Sequence, residues 1–447
     1  MDTNSSGRAR QNVVRSAVPL SSGPDQTANG SEAVAPAPPH FPLPSRGLQG
    51  KRVGMVLFST YPYDPRPRRA IDALIKEGMF VELICLTDEI SPKRETREGL
   101  HVRRIAITGE RGGKISYAYR YSAFILVSTV ILALRSLRRR YDLVYVHNMP
   151  DVLVASALIP KAMGAKVILD QHDPMPELAS TIFGVGEESR AVRVIKRLEK
   201  WSLSRADLVI TVNTACKRIF GARSCPLEKI GVVMNAPDGE IFPFHAAKSC
   251  HSQSSLSGRP FVIMYHGSLV ERNGLELAVD ALAKVRATVP SAELRICGRK
   301  TPYLDQVMET ARNNGLEGRV HYLGSKQLEK LVPAIEDCDI GVIPNLRNAF
   351  TDINTPTRIF EYLALGKPVI APSTRGILDY FTEDSLFLFE SGSALDLARQ
   401  IEYAAHNYDE AISVAERGQK IYLQHSWKQE RDTFVELVKK LLLGAEV

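Results

Sequence analysis

The 447-residue sequence has no uninterrupted apolar run of the roughly 18 residues that span a bilayer, so the chain reads as soluble or peripheral. Its six cysteines show no C-x-x-C spacing, and Cys85, Cys297 and Cys338 sit in or beside apolar, strand-like runs. Reduced core thiols in a cytoplasmic protein are expected, not disulfides or zinc. Neither G-x-x-x-x-G-K-[ST] nor a strand-coupled G-x-G-x-x-G occurs. That argues against an NTPase and against a dinucleotide oxidoreductase. No positively charged start precedes an apolar segment, so no secretory signal is expected. Residues 1–50, with SSGPDQTANGSEAVAPAPPHFPLPS, nearly lack large aliphatic side chains and read as a disordered tail.

What is present is unevenly charged. Residues 51–245 carry 30 Lys and Arg against 21 Asp and Glu, whereas residues 246–447 carry 23 against 26. Much of the excess lies in RSLRRR (135–140) and RAVRVIKRLEKWSLSR (190–205), the second with Val192, Ile195, Leu198 and Trp201 at near-helical spacing. Two readings stay open for it: a surface for anionic lipid headgroups or a pyrophosphate-bearing acceptor, and an ordinary core-facing helix with a solvated basic face. No nucleic-acid partner is expected.

From residue 51 strand-like and helix-like segments alternate: RVGMVLFS, PRRAIDALIKEG, FVELICL, HVRRIAI, YSAFILVSTVILALRSL, DLVYVHN, KVILDQHD, ADLVITV. After the polar stretch 248–258 the pattern restarts with PFVIMYHGS, AELRICG, VHYLG, DIGVIPN, KPVIAPS and SLFLFES. This is an α/β chain of two doubly wound, mostly parallel domains, 51–245 and 246–430, with a terminal helix over 431–447 that can pack back across them. Ligands of such sheets lie outside the carboxyl ends of the strands. That rule selects STYPYDPRPRR (59–69), HNMPD (147–151), DQHDPMPE (170–177), HGSLVERNG (266–274), CGRK (297–300), LGSK (323–326) and PNLRNAFTDINTPTR (344–358).

The most informative stretch is NTPTRIFEYLALGKPVIAP (354–372). Thr355 is a good N-cap and Pro356 a good first helical residue, so a helix is expected to start there. Its first turn would offer unpaired N–H groups beside Arg358, a site for an anion. Thr357 and Arg358 precede Glu361 by four and three residues, so a carboxylate that can accept from a ribose diol shares that face. The competing reading is a solvated Arg358–Glu361 ion pair. Gly267 lets a backbone approach a ligand and Arg272 can bind phosphate oxygens, which extends the clamp without a metal. Asp337-Cys338-Asp339 has the form of a D-x-D metal site, but it precedes its strand and lies at the wrong edge of the sheet, so no metal ligands are assigned.

These pieces, HGSLVERNGLELAVDAL, ELRICG, DIGVIPN and above all TPTRIFEYLALGKPVIAP, with DPRPRRAIDAL, DLVYVHNMPD and ILDQHDPMPEL, resemble the family 4 retaining glycosyltransferases of the GT-B fold, in the subgroup of bacterial polysaccharide and glycolipid assembly. The resemblance covers residues 51–435. It implies sugar transfer from a nucleotide-sugar, a UDP- or GDP-sugar first, to a lipid-linked or glycan acceptor, with no further cofactor. It makes Glu361 the ribose-holding glutamate that closes an E-x7-E motif. Gly267, Ser268, Arg272, Thr357 and Arg358 become the diphosphate clamp, Gly298 and Lys300 lie by the base and sugar, and His172 is the cleft histidine facing donor sugar and acceptor. His172, Arg272 and Glu361 are thus the catalytic candidates, and Asp64, Arg66, His147, Asn148 and Asp173 the acceptor-side ones.

Two departures stand out. Ile353 occupies the position of the first glutamate of E-x7-E, with Asp352 and Asn354 beside it, and Ser268 replaces the usual arginine after the glycine. Two other readings follow from them or from the shared architecture: a degenerate nucleotide-sugar-binding subunit, and a nucleotide-sugar epimerase without an external acceptor. For His172 and Asp173 a structural strand-end turn also remains open. A cytoplasmic location at the inner face of the plasma membrane is the expected setting.

Overall fold

The computed structural model describes residues 47–107, 113–248 and 259–444, without side chains for 113–117. The tail assigned to 1–50 therefore lies outside the described residues up to position 46, as does most of the polar stretch 248–258.

The first domain runs β1 (Arg52–Thr60), α1 (Pro65–Lys76), β2 (Phe80–Leu86), β3 (Arg94–Arg97), β4 (Leu100–Ile105) and α2 (Gly113–Arg138). It continues with β5 (Leu143–His147), a 3₁₀ turn (Asp151–Ala157), α3 (Leu158–Ala162), β6 (Lys166–Gln171), α4 (Met175–Phe183), α5 (Arg190–Arg205), β7 (Leu208–Thr211), α6 (Thr214–Arg223) and β8 (Ile230–Val232). The strands form one sheet in the order β3-β4-β2-β1-β5-β6-β7-β8, parallel except for the β3–β4 pair. Both faces are covered by helices, which is why β1, β5 and β7 read as unbroken apolar runs.

The second domain runs β9 (Phe261–His266), α7 (Leu275–Val285), β10 (Ala292–Cys297), α8 (Pro302–Asn313), β11 (Val320–Tyr322), α9 (Leu328–Glu336), β12 (Ile340–Val342) and α10 (Thr357–Ala364). Then follow β13 (Val369–Pro372), α11 (Arg375–Leu378), β14 (Phe387–Phe389), α12 (Ala394–His406), α13 (Tyr408–Gln424) and α14 (Trp427–Leu443). Its six strands are all parallel, in the order β11-β10-β9-β12-β13-β14. Helix α14 places Phe434, Val435 and Val438 in the core of the first domain with Leu48, Val53 and Leu74. There Arg431 reaches Glu77 at 3.0 Å, and the Glu430 carboxylate accepts from the Met234 N–H at 2.6 Å.

Three expectations change. Helix α10 begins at Thr357 with Pro356 as its N-cap and no side-chain cap. Thr355 is buried and turned elsewhere: its hydroxyl donates to the Gly376 carbonyl at 2.7 Å and accepts from Asn213 at 3.2 Å. The charged edge strand β3 was not recognisable from the sequence, because RETR has no apolar alternation. Helix α2 is also more apolar than a count of uninterrupted runs suggests, since Ala118–Arg138 is long and apolar enough to cross a membrane by length and composition. Ser and Thr interrupt that run, but Thr129 and Ser136 donate their hydroxyls to carbonyls one turn back, both at 2.7 Å, and so cost the helix little.

Candidate functional site

The carboxyl ends of β9 and β12 build the donor-side cluster. Gly267, at φ 130°, turns the chain out of β9 in a conformation that L side chains rarely adopt. A Cβ there would stand 3.2 Å from Arg358 Cδ, so the glycine also makes room for that side chain. Arg358 donates to the His266 carbonyl and to Asn345 Oδ1, both at 3.1 Å, and its guanidinium lies 4.6 Å from the centre of the Tyr265 ring. Glu361 takes a different partner: its Oε2 is 2.5 Å from His266 Nε2. The Arg358–Glu361 ion pair is therefore not formed, and Oε1 of Glu361 makes no hydrogen bond among the described residues. A positive guanidinium and a carboxylate with a spare oxygen, one helical turn apart, flank the same strand end.

Other donor-side candidates separate. Gly298 is a packing glycine, since a Cβ there would fall 2.2 Å from the Gly267 carbonyl oxygen. Ser268 is exposed, and its carbonyl accepts from Tyr265 and Asn273. Lys300 is at the surface, 3.2 Å from exposed Asp305. Thr357 opens α10. Arg272 sits in a 3₁₀ turn, Glu271–Asn273, ahead of Gly274 at φ 65°. It lines a crevice of about 570 Å³ between the domains, with Ser180, Thr181 and Glu187 on one side and Arg347 and Asn348 on the other.

Across from it the ends of β5 and β6 carry the second cluster. Its centre is Asp170, which the sequence marked only as the start of the stretch 170–177 and gave no role. Asp170 accepts from Arg66 Nη2 at 2.6 Å, from Arg66 Nε at 3.0 Å and from the Tyr145 hydroxyl at 2.7 Å. Burial pushes its carboxyl up, but the Arg66 guanidinium outweighs this and holds it well below the usual carboxylate range. Arg66 also donates to the Val233 carbonyl and to Asn235. It is buried and fully engaged within the protein, so the acceptor contact expected of it is corrected to a structural tether.

His147 and Asn148 change role for the same reason. His147 is fully buried, and its Nδ1 lies 2.9 Å from His172 Nε2. Burial lowers its pKa well below the ordinary value, so it is neutral. Its Nε2 is buried without a partner among the described residues. A proton there would be an orphaned donor, the costlier alternative, so the shared proton is assigned to His147 Nδ1. His172, less deeply buried, then accepts at Nε2 and keeps Nδ1–H as its free donor. Asn148 braces the same turn, accepting from the His172 N–H at 3.0 Å and donating to the Asp173 carbonyl at 2.8 Å. Neither His147 nor Asn148 is placed to touch an acceptor. Burial pushes the Asp173 carboxyl up, against the positive field of Arg272, which puts the two clusters in electrostatic reach of one another. Asp64 accepts from the Arg66 N–H at 3.2 Å as N-cap of α1, at the edge of the group.

His147, Asp170 and His172 offer three ligand atoms within 4.8 Å of one another. Arg66 occupies both Asp170 oxygens and adds a positive charge beside them, which opposes a cation. Of the D-x-D pair, Asp339 is held by Arg259 and the Val262 N–H and Asp337 by Arg295.

The two half-sites meet along a polar seam. Asn213 donates to the Ile353 carbonyl at 2.8 Å, Thr181 to Asn348 at 3.0 Å, and Arg218 to Asp379 at 2.7 Å. Ile353 itself is buried in the core of the first domain with Val212, Ala215 and Phe220.

Comparison with known proteins matches each half. The model for glycosyl transferases group 1 matches residues 248–421, and that for the glycosyl transferase 4-like domain matches residues 64–236. The chain belongs to the family 4 glycosyltransferases of the GT-B fold. Among this family's members, the amylovoran biosynthesis glycosyltransferase AmsK of Erwinia amylovora is 27% identical over 195 residues, 43% of this chain and 46% of that protein. The GPI3 subunit of phosphatidylinositol N-acetylglucosaminyltransferase of Saccharomyces cerevisiae is 22% identical over 332 residues, 70% of this chain and 68% of that protein. The chain spans 42% to 60% of the lengths of the bacterial relatives it matches. Its fold is that of Anabaena HepE in complex with UDP, with a TM-score of 0.63 at 17% identity over 87% of this chain and 100% of that one. It is also that of sucrose-phosphate synthase from Thermosynechococcus elongatus, with a TM-score of 0.69 at 16% identity over 88% of this chain and 100% of that one. For this family 4 chain, Ile353 explains its own departure from E-x7-E: the position faces a hydrophobic core, where a carboxylate would be unpaired. His266, Asn345 and Asp170, the partners that orient Arg358, Glu361 and His172, fell within the selected stretches 266–274, 344–358 and 170–177 but were given no role of their own. Each also ends an apolar strand-like run, the only signal that marked them.

Proposed function

We propose that the protein is a retaining glycosyltransferase that moves a sugar from a nucleoside diphosphate sugar to a lipid-linked or glycan acceptor in polysaccharide or glycoconjugate assembly, at the cytoplasmic face of a membrane. The observation that carries this is the Gly267–Arg358–Glu361 cluster. A strand end turned by a glycine, a guanidinium and a carboxylate with a free oxygen are the groups that a diphosphate and a ribose diol require. The UDP-bound neighbour of the same fold supports a uridine nucleotide, with GDP as the next base to test. The yeast relative, whose name specifies phosphatidylinositol, supports a lipid acceptor.

In the transfer the bond from the anomeric carbon to the diphosphate oxygen breaks as the acceptor oxygen bonds to that carbon on the same face. The acceptor's proton passes to the departing phosphate oxygen. Negative charge grows on the diphosphate, and Arg272 and Arg358 stabilise it as preorganised cations, so no metal is needed for that step. His172, its Nδ1–H free and its orientation fixed by His147, donates to a sugar or acceptor hydroxyl and acts as an orienting group. Ile353, as a seam residue, supports reading the departure from E-x7-E as an architectural change, not a lost activity.

The test is incubation of the full chain with isotopically labelled UDP- and GDP-hexoses, together with lipid extracts and oligosaccharides as acceptors. Labelled product with the donor's anomeric configuration is expected. An epimerised donor formed without acceptor, or tight donor binding with neither transfer nor slow hydrolysis, would overturn the reading.

A further inference from the structure

Arg358 and Glu361 carry opposite charges at i and i+3 of helix α10, the spacing at which an ion pair ordinarily closes. A closed pair would satisfy itself and leave neither charge for a ligand. Here it is open, and the two residues that end β9 hold it open. Consecutive residues of a strand leave it on opposite faces. Tyr265 accordingly lies in the core with Leu269, Leu275 and Val342, whereas His266 meets the edge of Tyr362 in the other layer, with ring centres 4.8 Å apart.

Each of the two takes one charge. The Arg358 guanidinium lies 4.6 Å from the centre of the Tyr265 ring and is fixed there by the His266 carbonyl and Asn345 Oδ1. The ring is fully buried, and its hydroxyl donates to the Ser268 carbonyl at 2.7 Å, which sets its plane. On the other face His266 Nε2 lies 2.5 Å from Glu361 Oε2. His266 Nδ1 is buried without a partner among the described residues, so a proton there would be an orphaned donor and the imidazole donates from Nε2. Neither partner cancels the charge it holds: a ring face attracts a cation through its quadrupole, and a neutral imidazole gives a carboxylate one hydrogen bond. We propose that Tyr265 and His266 are positioning residues that split the Arg358–Glu361 pair across the end of β9, keeping the cation open to a diphosphate and the carboxylate open to a ribose diol. The inference rests on the donor-site reading proposed for this cluster. With either residue gone, the released side chain has the opposite charge one helical turn away as its nearest partner, and the pair closes.

The experiment is calorimetric titration of the full chain with UDP and GDP, and with uridine and guanosine by displacement. Its readout is the ratio of the nucleoside Kd to the nucleoside diphosphate Kd for the base that binds. Loss of a ribose contact cancels in that ratio, whereas loss of the cation does not. Tyr265→Met, which fills the space without a ring, is expected to lower the ratio by about tenfold, and Tyr265→Phe to keep it. His266→Leu releases the carboxylate on the other face and is expected to lower the ratio too, so the test stands even if Tyr265→Met does not fold. Glu361→Gln added to either variant is expected to restore most of the ratio, because Arg358 then has no charge to close on. An unchanged ratio in either variant that folds would overturn the inference. So would equal losses in Tyr265→Phe and Tyr265→Met, or a loss that Glu361→Gln does not restore, since packing alone would then be at work. A wild type that binds neither UDP nor GDP would overturn the donor-site reading and this inference with it, a result distinct from every variant outcome.

Discussion

Gly267 and Arg358 depend on each other: the positive φ at the glycine and the space its missing Cβ leaves are what let the guanidinium lie against the strand end. Gly267→Ala is therefore expected to displace Arg358 and weaken nucleoside diphosphate binding by about tenfold, roughly 1.4 kcal/mol, as read by calorimetric titration. An unchanged Kd would show that the contact is incidental. His147 makes a matching case on the other side of the cleft. His147→Asn retains a donor in place of Nδ1–H and should keep most activity, whereas His147→Phe should lower kcat by about tenfold or more with little change in the donor KM. Equal losses in both variants would point to packing alone. At this scale the sequence was half legible. Arg358 and Glu361 stand out by sharing a face at the start of an expected helix, and His172 because it follows a strand-like run at the ligand edge of its sheet. Their partners do not: His266 is 95 positions from Glu361 and Arg66 is 104 from Asp170, and only folding brings such pairs together.

Between elements, Arg223 of α6 binds Glu177 of α4 and Glu199 of α5, and Glu199 is fully buried. Arg223→Met leaves two buried carboxylates unpaired and is expected to cost about 3–5 kcal/mol in denaturant unfolding. A loss below about 1 kcal/mol would mean that the carboxylates find other partners. The 3₁₀ turn that supports α2 and α5 carries Asp151, whose carboxyl burial pushes up to about 7. Since the folded pKa exceeds the unfolded one, near 3.9, the group's contribution to stability is full below that value and is lost as pH rises through about 7. Scanning calorimetry from pH 5 to 8 should thus show Asp151→Asn losing less melting temperature than the wild type over that interval. Most elements could be read from apolar periodicity alone. The exceptions have local causes: β3 is a polar edge strand, and α10 starts late because Thr355, an apt cap by type, is taken up by the domain seam.

Over the whole molecule, the seam decides what Ile353 means. Its side chain packs in one domain while its chain belongs to the other, and its carbonyl accepts from Asn213. Ile353→Glu, which rebuilds E-x7-E in the sequence, is expected to destabilise the protein by several kcal/mol by burying an unpaired carboxylate, and not to improve donor use. Tighter donor binding in that variant would instead return the position to the cleft. The two-sheet plan was legible because the βα pattern visibly restarts near 260, and the return of the terminal helix onto the first half was expected, but the polar contacts of the seam carry no periodic signature.

The central claim is that Glu361 holds the ribose of a nucleotide whose diphosphate lies at Arg358. The measurement that tests it most directly is calorimetric titration of the wild type and Glu361→Gln with UDP and its 2′,3′-dideoxy counterpart, and with the GDP pair. The ribonucleotide of one base is expected to bind the wild type about tenfold or more tightly than its dideoxy form, and Glu361→Gln to remove most of this preference. Equal binding of both forms by the wild type, or a preference that survives intact in the variant, would contradict it.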